Sequence, residues 1–294
     1  MNTFLKNILV IFILTMASFK TFAIEKNLKI IDSLIHSENF IEADVMLTQL
    51  FNKEKNITYK NMLLTRKAAI LFKQNKTTES LEIIYKNLDF FKKINNQKEL
   101  KSLFNILGSI YLEYNHLELA EKNFKKALNY DAQENVTVIL NLLSIYSKTK
   151  NEKLFNYYSK ILEGSPQFKK NKLSNFRLNI HKAILLYNLD KIKTDEFNTV
   201  LDELKKLKKE INNPNFESYY NVMQSIYENS HGNNQIALNL IDKSFQELNK
   251  KELEYSLIFV LKIKAKILFD LKRYYEQTET LIKIDEISNT RNEK

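Results

Sequence analysis

The 294-residue chain has no cysteine and no tryptophan, three glycines and two prolines. Without cysteine, an oxidising compartment finds nothing to cross-link, and no thiolate metal site can form. Stability must therefore come from packing, and 44% hydrophobic residues over this length can bury a continuous core. Glycines at 108, 164 and 232 alone exclude a G-x-S-x-G elbow, a Walker A loop and a glycine-rich dinucleotide loop. So little glycine and proline also disfavours turn-rich β folds and favours long helices. The four histidines, His36, His116, His181 and His231, show no H-E-x-x-H and no partner at metal-ligand helical spacing. No local pattern marks a Ser-His-Asp arrangement either. The residues thus call for no metal, no cofactor and no catalysis.

What is present begins with a basic, then apolar, then small-residue start. Lys6 precedes the apolar residues 8–16, and Thr21-Phe22-Ala23 is a small-residue exit. This reads as a secretory signal over residues 1–23, cut after Ala23. The apolar stretch from 8 to 19 stops at Lys20, short of the roughly 20 residues that span a bilayer. With no cysteine after the exit, a lipoprotein anchor is excluded. The mature chain, residues 24–294, is expected to be exported to the periplasm or cell envelope, with secretion as the other outcome, and to carry no membrane span.

Net charge is +10, and removing Lys6 and Lys20 with residues 1–23 leaves +8. The lysines are spread along the chain, and an exported protein has little access to nucleic acid. The charge therefore reads as solubility with weak attraction to acidic surfaces. In the densest basic stretch, Leu204, Leu207 and Ile211 recur at i, i+3 and i+7, which puts Lys205, Lys206, Lys208 and Lys209 on an outward, solvated face.

From residue 27 onward the apolar pattern keeps a helical period. Ile30, Ile31 and Leu34 lead through a turn to Phe40, Ala43, Leu47 and Leu50, and Leu64, Ala68 and Leu71 lead through Lys76-Thr77-Thr78 to Ser80, Ile84 and Leu88. Later pairs turn at Lys150-Asn151, Asp190 and His231-Gly232, with stops at Gly164-Ser165-Pro166 and Asn212-Asn213-Pro214. The crossing positions Ile31, Ala68, Gly108, Leu143, Ala183 and Ala265 step by 37, 40, 35, 40 and then 82 residues over two repeats. Between them, Phe104, Leu107, Gly108, Tyr111, Ala120, Phe124, Ala127 and Ala132 form the sharpest pattern in the chain. Asn115 and Glu118 are spaced as a capping box for its second helix.

Residues 101–134 resemble the tetratricopeptide repeat, with Phe104 where that family usually has Trp and Ala132 where it has Pro. About six divergent repeats are inferred around it over residues 27–290. The steps exceed the usual 34 residues, which implies extra helical turns or longer connections. The resemblance implies an all-α, right-handed superhelical solenoid of about seven antiparallel helix pairs in one domain, residues 24–294.

In that family the first helix of each pair lines a concave groove that takes an extended peptide or partner helix. Carried onto this chain, the groove positions are Asn105, Ser109 and Leu112 in the clear repeat. Neighbouring repeats add Thr65, Ala69 and Phe72, then Leu140 and Ser144, and the last adds Lys262, Lys266 and Phe269. Arg177, Asn221 and Ser225 face the same way in the fifth and sixth. The lysine–asparagine–arginine clamp of the chaperone-binding members is expected to be absent, because Asn105, Ser109 and Leu140 occupy those positions. The function this implies is a non-catalytic exported scaffold that binds a protein or peptide in the cell envelope. Two alternatives stand beside it: the sensor array of a signalling protein, and an envelope enzyme built from scattered residues.

Overall fold

The computed structural model describes residues 22–35, 37, 39–130, 135–211, 214–249 and 254–292. Residues 1–21 of the expected signal, His36, Ala132 and the Asn212-Asn213 stop lie outside them. The described residues form helices and no strand. In order they are α1 (22–35), α2 (Phe40–Lys53), α3 (Ile57–Lys73), α4 (Thr77–Lys93), α5 (Gln97–Glu113), α6 (Leu117–Asn129), α7 (Val136–Lys148) and α8 (Glu152–Gly164). Then follow α9 (Pro166–Lys169), α10 (Lys172–Asn188), α11 (Asp195–Ile211), α12 (Pro214–Ser230), α13 (Asn234–Asn249), α14 (Glu254–Asp270) and α15 (Tyr274–Asn292).

One turn chemistry repeats along the chain. Asn75, Asn115, Lys150, Asp190, Gly232 and Lys272 each hold a left-handed φ, between 57° and 83°. In each case the next residue donates its N–H to a carbonyl five positions back. Lys76 reaches Leu71 at 2.9 Å, His116 reaches Tyr111 at 2.8 Å, and Lys191 reaches Leu186 at 2.8 Å. Asn151–Tyr146, Asn233–Glu228 and Arg273–Leu268 repeat the pattern. This six-to-one closure satisfies carbonyls that the helix end would otherwise leave open. The chain returns at once, so each turn joins a helix pair.

These turns fix the repeat length. Their left-handed residues step by 40, 35, 40, 42 and 40 positions. Seven residues before each stands a buried crossing residue: Ala68, Gly108, Leu143, Ala183, Ser225 and Ala265. Ser225 supplies the marker inside the 82-residue step. The excess over 34 comes from 17-residue helices such as α3, α4, α5 and α10. The 35-residue step is the one that spans the 13-residue α6 and α7.

The capping box expected at Asn115 does not form. Asn115 is spent on the left-handed closure of α5 (φ 58°), and His116 stands at the start of α6 without a side-chain capping bond. Asparagine caps occur elsewhere: Asn56 accepts from Tyr59 N–H at 3.0 Å, and Asn171 from Ser174 N–H at 3.0 Å. The Gly164-Ser165-Pro166 stop ends α8, and Pro166 then opens the short α9, where its missing N–H costs nothing.

Two compact units divide between Ile110 and Tyr111, inside α5. In the first, Leu28 and Ile31 of α1, Ala43 and Leu47 of α2, and Tyr59, Leu63 and Ile70 of α3 share one core cluster. Ser80 of α4 donates its hydroxyl to Ala68 C=O at 2.8 Å, joining α4 to α3. In the second, Phe176, Phe197, Met223, Ile241 and Leu268 belong to a continuous core running from α10 to α14. Each such fully buried apolar side chain contributes roughly 1.5–3 kcal/mol. The lysine-rich face of α11 is solvated as its periodicity implies, with Leu204 and Leu207 buried and Lys205, Lys206 and Lys209 exposed. Lys208 pairs with Glu217 at 2.7 Å and lies over the Tyr220 ring.

Candidate functional site

The first helix of each pair carries the candidate site residues, and each unit presents its own set. In the first unit Thr65 is buried. Its hydroxyl donates to Asn61 C=O at 3.1 Å and accepts from the Asn87 amide at 3.2 Å, so it ties α4 to α3 rather than facing a groove. Phe72 is also buried, with Lys73 Nζ 5.4 Å from its ring centroid. Ala69, Asn105 and Ser109 are half-buried, and the Ser109 hydroxyl donates to Asn105 C=O at 2.9 Å.

The polar centre of this unit is one that the groove alignment did not include. Arg66 sits on α3 between α1 and α5. Its Nε and Nη2 donate to the two carboxylate oxygens of Asp32 at 3.0 and 3.2 Å. Its Nη1 donates to Glu99 Oε1 and Oε2 at 2.5 and 2.6 Å and to Met62 C=O at 3.2 Å. Arg66 is 5% exposed and Glu99 1%, while Asp32 is 41% exposed. Burial works against the guanidinium charge, but Glu99 and Asp32 outweigh it and hold its pKa above the ordinary arginine value. With its donors met by carboxylates of its own chain, this is a structural clamp rather than a site.

In the second unit Leu112 and Ser144 are half-buried, Leu140 is buried, and Lys262, Lys266 and Phe269 are exposed, Phe269 at 55%. Phe269 meets Tyr274 edge to face. Lys266 Nζ lies 5.5 Å from the Tyr187 ring centroid, and the two line a cavity of about 30 Å³ with Asn229, Ser230 and apolar residues of α12 and α14. The Asn229 side-chain amide donates to Asp270 Oδ2 at 2.8 Å, while its side-chain oxygen Oδ1 is buried with no hydrogen-bond partner among the described residues.

Asn221 and Ser225 do not face the same way as these residues. Both are buried, and the Ser225 hydroxyl is spent on Val222 C=O at 2.8 Å. The reason is register. Counted back from the left-handed residue of each turn, Asn105, Ser109 and Leu112 stand at ten, six and three, as do Lys262, Lys266 and Phe269. Asn221 and Ser225 stand at eleven and seven, on the crossing face, and Asn229 is the residue at three. A one-residue slip turns a helical side chain by about 100°. Counting from Gly232 instead of from the apolar pattern would have found Asn229 in the sequence.

Arg177 stands in a second buried polar group that the alignment recognised in part. Its Nη2 donates to Asn141 Oδ1 of α7 at 3.2 Å. One helical turn on, His181 has both ring nitrogens buried and without a hydrogen-bond partner among the described residues. Lys148, on the last turn of α7, acts on the same ring. Burial first, then the charges of Arg177 and Lys148, push the His181 pKa down to about 3. Burial also lowers the Arg177 pKa, and Tyr219 of α12 works the other way. A lone histidine inside a helix gives no warning of this; Arg177 lies one turn back on the same helix, while Lys148 arrives through the packing of α7 on α10.

Among the described residues no three His, Cys, Asp or Glu side chains gather as a metal site, and no helix is long and apolar enough to cross a membrane. No protein-family profile matches the chain, and no curated protein does. Solved structures do. The fold is similar to a Rap protein crystallised in complex with Competence and Sporulation Factor, with a TM-score of 0.68 and 12% identity over 92% of this chain and 77% of that one. It is also similar to the apo form of RapI, with a TM-score of 0.53 and 14% identity over 91% and 77%. The chain is an all-α solenoid of paired helices with a tetratricopeptide-like repeat fold.

Proposed function

We propose that this chain is a non-catalytic helical scaffold that binds a peptide or protein along the first helices of its repeats. The observation that carries this reading is the pairing of Tyr187, Asn229 and Lys266 from α10, α12 and α14. Three successive first helices converge there on one small cavity. An amide with an unpartnered carbonyl oxygen suits an extended backbone, and an ammonium over an aromatic ring suits a neighbouring polar or acidic group. The likeness to a Rap protein solved with Competence and Sporulation Factor supports a binding role for the fold. A preorganised helix stack lowers the ordering cost of binding, so such a surface needs no chemistry of its own to be useful.

The basic, apolar, small-residue start over residues 1–23 supports an exported, envelope location for the mature chain. Fractionation of cells expressing the full chain tests this. A product starting at Ile24 in the envelope fraction is the expected result, and a full-length cytoplasmic product overturns export.

Binding is tested by probing an immobilised library of extended peptides with the purified chain and with Asn229→Ala/Lys266→Ala. Binders held by the first and weakened by a folded second support the reading. Retention of every binder by the variant overturns this placement.

A further inference from the structure

We propose that the outward face of α15 pairs with the same face of a second copy of this chain, antiparallel about a two-fold axis beside Thr278. The inference stands apart from the peptide-binding reading above, because it uses none of the residues that line the cavity at Asn229. Its basis begins with exposure. Tyr275 is 77% exposed, and Tyr274, Leu281 and Ile282 are each about half exposed. At about 100° per residue these four fall on one side of α15. The buried Thr280, and Ile287 packed on the core of the second unit, fall on the other. Phe269 of α14 extends the strip, edge to face with Tyr274. Single exposed apolar side chains are ordinary, but four within the nine residues 274–282 make a patch that marks an interface.

Charge selects the occupant. Lys272 and Arg273 stand at the N-terminal end of the patch, and Asp285 and Glu286 at its C-terminal end, all exposed. Arg273 Nε is engaged with Glu276 of its own helix at 2.6 Å, so Lys272 is the cation that reaches outward. Asp285 accepts from the Asn289 amide of its own helix at 3.2 Å and keeps its charge at the surface. A helix face that is basic at one end and acidic at the other is complementary to itself reversed, and a parallel pairing would set like charges together. One register satisfies both kinds of contact. The antiparallel pairing that sets Lys272 opposite Asp285 also sets Tyr275 opposite Ile282, because both pairs are centred between residues 278 and 279. Tyr274 and Leu281 are centred one residue earlier and meet along the adjoining row. Glu279, which accepts from the Tyr275 hydroxyl, stands at the margin of the strip. Two-fold symmetry makes every contact occur twice, and it sets the two helix dipoles antiparallel. The apolar strip carries the contact, and the charged ends fix its direction. One helix face per copy is a small interface, so the dimer is expected to dissociate on dilution through about the micromolar range.

The test uses the full chain, whose lack of cysteine lets one introduced thiol report one contact. Thr278→Cys, beside the axis, is expected to form a disulfide with its own copy under mild oxidation. Asn289→Cys, also exposed on α15, lies about 30 Å from its counterpart in this register and is expected to remain a thiol. Analytical ultracentrifugation is expected to show a monomer–dimer equilibrium that Ile282→Glu shifts at least about tenfold toward monomer. Lys272→Glu and Asp285→Lys should each weaken the dimer about tenfold, since symmetry doubles each change, and the double variant should recover it. All three side chains are exposed, and a melt of each variant checks that it folds. A full chain that stays monomeric up to about 100 µM would overturn the pairing and leave the face to a partner of different sequence. A dimer that folded Ile282→Glu leaves intact, equal cross-linking of Asn289→Cys, or no recovery in the double variant would each overturn it as well. Species that grow beyond two chains with concentration would replace the two-fold contact with a head-to-tail one.

Discussion

Arg66 and Glu99 lie 33 residues apart in the chain, yet one guanidinium nitrogen contacts both carboxylate oxygens at 2.5 and 2.6 Å in an almost fully buried pair. Asp32, 34 residues on the other side, takes the opposite edge of the same group. The spacing is close to one repeat in each direction, so the arginine bridges three successive first helices. Removing one partner leaves a buried charge unanswered, which costs about 3–5 kcal/mol. Glu99→Gln is therefore expected to lower the urea midpoint sharply, and Arg66→Met/Glu99→Leu to recover much of the loss. Asp32→Asn, at a 41% exposed partner, should cost no more than about 1 kcal/mol.

The His181 pKa sets a direction for acid stability. Its folded value is depressed to about 3, below the roughly 6.5 of an unfolded histidine. The unfolded chain therefore binds the extra proton first. The histidine's contribution is fully present above about pH 6.5 and is lost progressively as pH falls toward 3. Thermal melts of the protein and of His181→Gln across that window check this. The gap between them should narrow or reverse on acidification, because the glutamine has no proton to take up.

The turn residues offer the reverse experiment, in which a substitution stabilises. Lys150 and Lys272 hold left-handed φ values of 57° and 58°, a conformation that a side chain with a Cβ adopts at a cost. Lys272→Gly and Lys150→Gly should each raise stability by about 0.5–1 kcal/mol, net of the entropy that glycine adds to the unfolded chain. Gly232→Ala, at φ 83°, should lower it by about 1 kcal/mol with no steric clash, since a Cβ there meets no atom within 4 Å. Chemical denaturation reads all three.

Lys266 and Asn229 provide a test in which binding and stability separate. Lys266 is exposed, so Lys266→Ala should change stability by less than about 0.5 kcal/mol. Its loss should still weaken a peptide that lies across α10, α12 and α14. Fluorescence anisotropy of a library binder, beside a melt of the same variant, separates the two effects.

The repeat period, the all-helical class and most turn positions were legible in the sequence, because each follows from local rules. Apolar residues at helical spacing bury one stripe, glycine and proline are too scarce to support β turns, and Gly164-Ser165-Pro166 stops a helix in any context. Alignment to the clear repeat places Lys266 and Phe269 at the register of Ser109 and Leu112, and both are exposed. Asn221 and Ser225 were misassigned because the apolar pattern tolerates a one-residue slip, whereas the hydrogen-bonded turn at Gly232 does not. The Arg66 clamp and the Arg177–His181–Lys148 group were invisible for a deeper reason. An arginine reads the same in sequence whether Asp32 and Glu99 meet it, as at Arg66, or, among the described residues, the Asn141 amide oxygen does, as at Arg177. Which acids reach it depends on how helices some 35 residues apart pack side by side. The sequence by itself determined helices, turns and repeat length. Tertiary packing alone decided which buried charges the chain answers with its own carboxylates, because pairing energy depends on distance and burial, and neither is a property of sequence spacing.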